Sequence, residues 1–138
     1  MTLTKRNLLG LDVGERRIGV ALGDSVGRLA TPLTTLLVDG SEIIRLQQLM
    51  LEHEITDIVV GLPRNLSGEE TQQSAAIRQF VDLRLRAFSV PITFQDESVT
   101  SVLAEANLAR GKKNFTKADI DAHAAALILQ DYLENIHG

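Results

Sequence analysis

Apolar positions along this chain fall into short continuous runs and helical stripes that take turns. Arg6 to Val13 reads as a buried strand, Gly14-Glu15-Arg16-Arg17 as a short connection and Ile18 to Gly23 as a second strand, a spacing that predicts a hairpin. A third strand is expected from about Leu29 to Val38. Pro32 within it favours an edge or a bulge, because proline has no amide hydrogen to give a ladder. Asp39-Gly40 signals a turn, and Ser41 opens a helix to about Glu52 whose Ile43, Leu46, Leu49 and Met50 keep helical spacing. Asp57 to Val60 is a short apolar strand, ended by Gly61-Leu62-Pro63 because Pro63 cannot continue a central ladder. Ser67 and Glu70 have capping-box spacing and open a long helix to about Ala87, with Ile77, Val81, Leu85 and Phe88 on one face. After the break at Ser89-Val90-Pro91, Ile92 to Gln95 reads as a strand and Val99 to Arg110 as a helix. Gly111-Lys112-Lys113-Asn114 reads as an exposed basic loop, and a last helix is expected from about Asp119 to Glu134.

A hairpin or meander followed by alternating strands and helices predicts a mixed sheet with helices on its faces. The chain, residues 1–138, fits one domain, and it shows no internal repeat or linker that would divide it. Aromatic residues make up only 4 %, so the core must rest on Leu, Ile, Val and Ala. A single tyrosine, Tyr132, and no tryptophan leave few rings on which nucleobases could stack. The absence of cysteine excludes disulfides, thiolate metal sites and cysteine nucleophiles, and fits a reducing cytoplasm, the expected location. No apolar run reaches the ~18–20 residues of a membrane span, and Met1 to Leu11 is not built like a signal peptide. A net charge of −4 means that nucleic acid would have to be met by a local basic surface.

Three acids stand out by position. Asp12 ends the strand Leu8-Leu9-Gly10-Leu11 and shares a face with Leu8 and Gly10. A carboxylate there either hydrogen-bonds the adjoining turn, as Asp commonly does, or coordinates something. Asp96 and Glu97 follow Ile92-Thr93-Phe94-Gln95, where the competing role is to face the positive end of the next helix. Asp121 shares a helix face with Ala125, Ile128 and Tyr132. An acid on such a stripe is costly unless it is paired, bound to metal or wetted in the first turn.

If the strands leading to Asp12, to Gly61-Leu62-Pro63 and to Asp96-Glu97 are parallel, their ends converge where open α/β sheets bind ligands. Carboxylates gathered there repel one another and need a cation. Oxygen ligands suit Mg²⁺ or Mn²⁺, which keep waters and accept substrate phosphate. Two such ions can activate a water and stabilise the leaving oxygen of a phosphodiester. His53, His123 and His137 have no metal-ligand spacing, and His123, between Ala122 and Ala124, reads as packed or half-exposed rather than catalytic. Arg84 and Arg86 read as a solvated helix face, whereas Arg16 or Arg17, Arg64 and the Lys112–Lys117 segment lie near the expected site and are the better phosphate contacts.

Four motifs then fall in order: Asp12-Val13-Gly14 with Ile18-Gly19-Val20-Ala21 and Asp24; Gly61-Leu62-Pro63 with Gly68; Asp96-Glu97 with Thr100-Ser101 and Ala104-Glu105; and Lys117, Asp121, Ala124-Ala125 and Ile128-Leu129 with Tyr132. Spanning nearly the whole chain, they resemble the YqgF (RuvX-type) family. The resemblance implies a ribonuclease-H-like α/β fold with a five-stranded mixed sheet flanked by helices. It also implies a divalent-metal nuclease site whose acidic positions are Asp12, Glu97 and Asp121. Members are described as maturing the 5′ end of precursor 16S ribosomal RNA and as Holliday-junction resolvase-like. Precursor rRNA is therefore the expected substrate and branched DNA the alternative. Arg17, Gly61, Pro63, Arg64 and Lys117 are the expected substrate contacts.

The family's third motif usually reads Asp-Glu-Arg, and here Ser98 takes the third place. That removes a bidentate phosphate contact and leaves Arg64 or the Lys112–Lys117 segment to compensate. Two other classes remain at this stage. Phosphotransfer on the actin and sugar-kinase fold needs two domains where this chain supplies one. A non-catalytic RNA-binding ribosome-assembly factor would use the acids structurally, and metal binding separates it from an enzyme. Monomer and homodimer both fit, although a junction resolvase would need the dimer.

Overall fold

A computed structural model of the chain describes residues 5–63, 69, 71–97 and 116–136. The first hairpin is β1 (Asn7–Val13) and β2 (Arg17–Asp24), and β3 (Thr31–Leu37) follows antiparallel to β2. After α1 (Glu42–Glu52) come β4 (Asp57–Pro63), α2 (Gln72–Phe80), β5 (Ile92–Glu97) and α3 (Lys117–Asn135). The five strands form one sheet in the order β3-β2-β1-β4-β5. Both β1–β4 and β4–β5 are parallel, so the ends of these strands do share one edge of the sheet.

Alternation decides what each face carries. On one face Leu9, Leu11, Ile18, Val20, Ile58, Val60 and Leu62 join Leu46 of α1 and Ile77 of α2 in the larger core. The opposite face is built from smaller residues, and α3 lies across it. Leu8, Ala21 and Val59 meet Ala125, Ile128, Leu129 and Leu133 there. This second core is thin because glycines line it. A Cβ on Gly10 would come within 2.7 Å of Leu129 Cβ, one on Gly23 would press on Leu129 and Leu133, and one on Gly61 would overlap the end of Ile128. The missing side chains let the helix rest close to the backbone of the sheet. At Gly61 the obstacle is the tip of a flexible side chain, so Gly61→Ala should cost only about 1–2 kcal/mol in chemical denaturation.

Several local expectations need correction. Gly61-Leu62-Pro63 is not a loop but the last turn-free stretch of β4, with Pro63 opposite Glu97. Proline is accepted there because pairing with β1 stops at Val60, leaving one side of the strand without a ladder. The described helix after it begins with Thr71 as cap: the Thr71 hydroxyl accepts from Ser74 N–H, and Ser74 Oγ accepts from Thr71 N–H. Ser67 and Glu70, offered as that cap, lie outside the described residues. The helix also does not run on as α to Ala87, because Val81–Leu85 widens into a π turn that keeps Val81 and Leu85 buried. Pro32 sits on the edge strand β3, beside a register shift that skips Leu33. The expected helix from Val99 to Arg110 and the basic loop after it lie outside the described residues.

Candidate active site

Asp12 and Gly19 are directly opposed across the β1–β2 pair. Gly19 matters because a Cβ there would overlap the backbone carbonyl of Asp121. The helix therefore touches the sheet backbone at this point, and Asp121 is set down beside Asp12. Glycine inside an apolar strand marks close approach of another backbone. That signal was present in Ile18-Gly19-Val20-Ala21, but nothing in the sequence said which segment approaches.

The start of α3 is fixed independently. Thr116 and Asp119 form a capping box, with Asp119 N–H donating to the Thr116 hydroxyl and Thr116 N–H donating to Asp119 Oδ2 at 2.9 Å. The Thr35 hydroxyl of β3 donates to the Ala118 carbonyl at 2.7 Å. Because the helix begins at Lys117, two residues earlier than expected, Asp121 is its fifth residue and lies past the first turn. Asp119 serves the helix end, so the capping explanation does not apply to Asp121.

Asp121 instead accepts from Arg17 Nε at 2.6 Å, and both side chains are partly buried. The Asp12 carboxylate is half-buried and has no hydrogen-bond or ion-pair partner among the described residues. The adjoining turn is closed without it, by Gly14 N–H donating to the Arg17 carbonyl at 2.9 Å. Burial pushes the Asp12 carboxyl up to about 6, and the nearby negative charge of Asp121 adds to the effect. A cavity of about 270 Å³ opens between them, lined by Asp12, Gly14, Glu15, Arg16, Arg17 and Asp121.

The other expected residues are placed less centrally. Glu97 is the last residue of β5, and β4 lies between β5 and β1. Two strand spacings and a two-residue offset put its Cα roughly 12 Å from that of Asp12. Its side chain lies outside the description, as do Arg64, Ser98, Lys112 and Lys113. Among the described residues no group of three or more His, Asp and Glu side chains gathers as a metal cluster. Gly61 is buried under Ile128, Pro63 is half-buried at the end of β4, and Lys117 is exposed one helical turn before Asp121. Arg84 and Arg86 are exposed, as expected of a solvated helix face, and reach Glu42 and Asp82 at 3.5 Å. His123 is half-buried, with its Nε2 buried and without a hydrogen-bond partner among the described residues.

Chemically, the Asp12–Asp121 pair fits a hard divalent cation. It offers two carboxylates on rigid elements, one of them largely buried and without a partner among the described residues, beside an opening large enough for waters and a phosphate. Arginines at the rim add positive charge where a phosphate would enter.

A family model described as RuvX, Holliday junction resolvase, matches residues 6–135. A Chloroflexus aggregans protein named "Putative pre-16S rRNA nuclease" is 43 % identical, with 96 % of each chain covered. A protein of the same name from Roseiflexus sp. is 40 % identical, covering 93 % of this chain and 94 % of its own. Among solved structures, Thermus thermophilus RuvC in complex with a Holliday junction substrate superposes with a TM-score of 0.54 at 16 % identity, covering 92 % of this chain and 93 % of RuvC. At that identity the likeness bears on the fold, and the fold is the ribonuclease-H-like one of RuvC.

Proposed function

We propose, from the premise that this chain belongs to the RuvX family, that it is a divalent-metal-dependent endonuclease acting on precursor 16S ribosomal RNA in the cytoplasm. The observation that carries this reading is the largely buried Asp12 carboxylate beside Asp121, without a partner among the described residues, at the edge where the parallel strands end. A carboxylate with no partner among the described residues, in a place that disfavours its charge, suits a site that receives a cation.

Asp12 and Asp121 would hold Mg²⁺ or Mn²⁺, with Glu97, the last residue of β5, as the third acid. When bound, such an ion lowers the pKa of a water and offsets charge at the scissile phosphate. The residues of the chain do the rest. Gly19 fixes the spacing of the two aspartates through backbone contact. The apolar cores on both sides keep them from moving apart. Arg17, Arg64 and Lys117 would neutralise phosphate oxygens of the bound strand. Attack of water on the phosphorus with departure of the 3′ oxygen would leave a 3′-hydroxyl and a 5′-phosphate.

The test is cleavage of a labelled 16S leader RNA with Mg²⁺ or Mn²⁺, beside Asp12→Asn and with a four-way DNA junction as second substrate. Metal-dependent cutting by wild type, lost in a folded Asp12→Asn variant, is the expected result. Cutting of the junction in preference to the RNA would move the substrate to branched DNA. No cutting of either with any metal would leave the acids without a catalytic role and favour an assembly factor.

A further inference from the structure

The Arg17–Asp121 pair has features unlike a permanent clamp. Only Nε of the guanidinium donates, to a single carboxylate oxygen at 2.6 Å, and among the described residues its two Nη nitrogens have no acceptor. A bidentate fork, the strong form of this interaction, is not made. The side chains of Arg17 and Asp121 are 30 % and 22 % exposed, so the pair is reachable by water and ions. Arg17 is also the sole positive charge bonded to either aspartate among the described residues, and it lines the same cavity as both. It stands where the charge of Asp121 must be balanced until something else balances it.

A divalent cation placed between Asp12 and Asp121 changes that balance. Its two charges would sit a few ångströms from the guanidinium, in a partly desolvated cavity where repulsion between cations is stronger than in water. The arginine bond, monodentate and partly exposed, is the contact with which such a cation would compete. We propose that Arg17 is a positioning residue that holds Asp121 in the metal-free protein, yields it when a divalent cation binds, and is thereby released to grip a substrate phosphate. This rests on the nuclease reading of the same site. It makes phosphate capture depend on prior metal loading, so that nucleic acid is held productively only by a site already able to cut.

Two measurements on the full chain test it, with Mg²⁺ or Mn²⁺ alone as the probe. The first is the ¹⁵N–¹H NMR signal of Arg17 Nε, assigned by its loss in Arg17→Gln. In metal-free protein it should be shifted and protected by the bond to Asp121. Saturating Mg²⁺ should move it to the position of an exposed arginine. The second is calorimetric titration of Mn²⁺ into wild type, Arg17→Gln and Asp12→Asn. Removing the competing guanidinium should tighten Mn²⁺ binding roughly five-fold, the worth of one partly exposed ion pair. Asp12→Asn should bind Mn²⁺ at least tenfold more weakly. If wild type binds metal while the Arg17 signal stays put and Arg17→Gln binds no tighter, the exchange is wrong and the pair is structural, with the nuclease site intact. If wild type takes up neither ion, the metal site itself fails and the exchange falls with it.

Discussion

Replacing Asp12 with Asn is expected to abolish metal-dependent cleavage, by 10³-fold or more, and at the same time to stabilise the metal-free protein at neutral pH. The two effects share one cause. Burial, reinforced by Asp121, raises the folded-state pKa of Asp12 from the ordinary 3.8 to about 6. The folded state therefore binds this proton more tightly than the unfolded chain. Below about pH 4 both states are protonated and the group costs nothing. As pH rises through 4 to 6 the unfolded chain ionises first, and stability falls. Above about 6 the full cost is in place, on the order of 1–3 kcal/mol for a shift of this size. Asparagine never ionises, so the midpoint of denaturation of the variant should match that of wild type near pH 4 and exceed it at pH 7.5. Adding Mg²⁺ or Mn²⁺ should reverse the order, because only wild type gains stability from the ion. Metal affinity of wild type should drop below pH 6 as protons compete for Asp12. A variant less stable than wild type at pH 7.5 without metal would mean that Asp12 is an ordinary structural acid.

Gly19→Val should be the most damaging single change on the α3 face. At Gly61 a new methyl group meets a side-chain tip, but at Gly19 it meets the backbone of Asp121, which has no rotamer to change. Either the helix lifts or the strand bends, and both open the second core. The expected loss is about 3–5 kcal/mol, in the range of severe overpacking. Gly19→Ala should be milder and more informative. If the protein stays folded, Asp121 has moved relative to Asp12, and Mn²⁺ affinity should fall at least tenfold while the circular dichroism remains that of wild type. Wild-type Mn²⁺ affinity in a folded Gly19→Ala protein would show that the backbone contact does not set the spacing.

These two residues also mark how far the sequence could be read. Asp12 drew notice as a carboxylate near the end of an apolar strand, and the structure places it beside Asp121 with no partner among the described residues. The parallel strand ends were legible because α/β alternation leaves few alternatives. What could not be read was long-range. Arg17 and Asp121 are far apart in the chain, and neither reveals its partner by its neighbours. Gly19 announced a close approach without naming what approaches. Local rules failed where tertiary context overrode them. Pro63 entered a strand because one side had no ladder to break, and Asp121 left the first turn because Thr116 and Asp119 start the helix earlier. The strand order was the other hidden quantity. It places β4 between the strands that carry Asp12 and Glu97.

The close seating of α3 on its glycines makes the helix behave as a lever. Its near end carries Asp121, and its far part is tied down elsewhere. Gln130 Oε1 accepts from Ala30 N–H, its Nε2 donates to the Arg28 carbonyl, and Tyr132 packs against the second core. Eleven residues of helix separate Tyr132 from Asp121, about 16 Å. With backbone resting on backbone there is little compressible material between the two ends to absorb a tilt. A substitution that loosens the far fastening, such as Tyr132→Ala, should therefore be felt as weaker Mn²⁺ binding at the near end, although the residue changed never comes close to the metal.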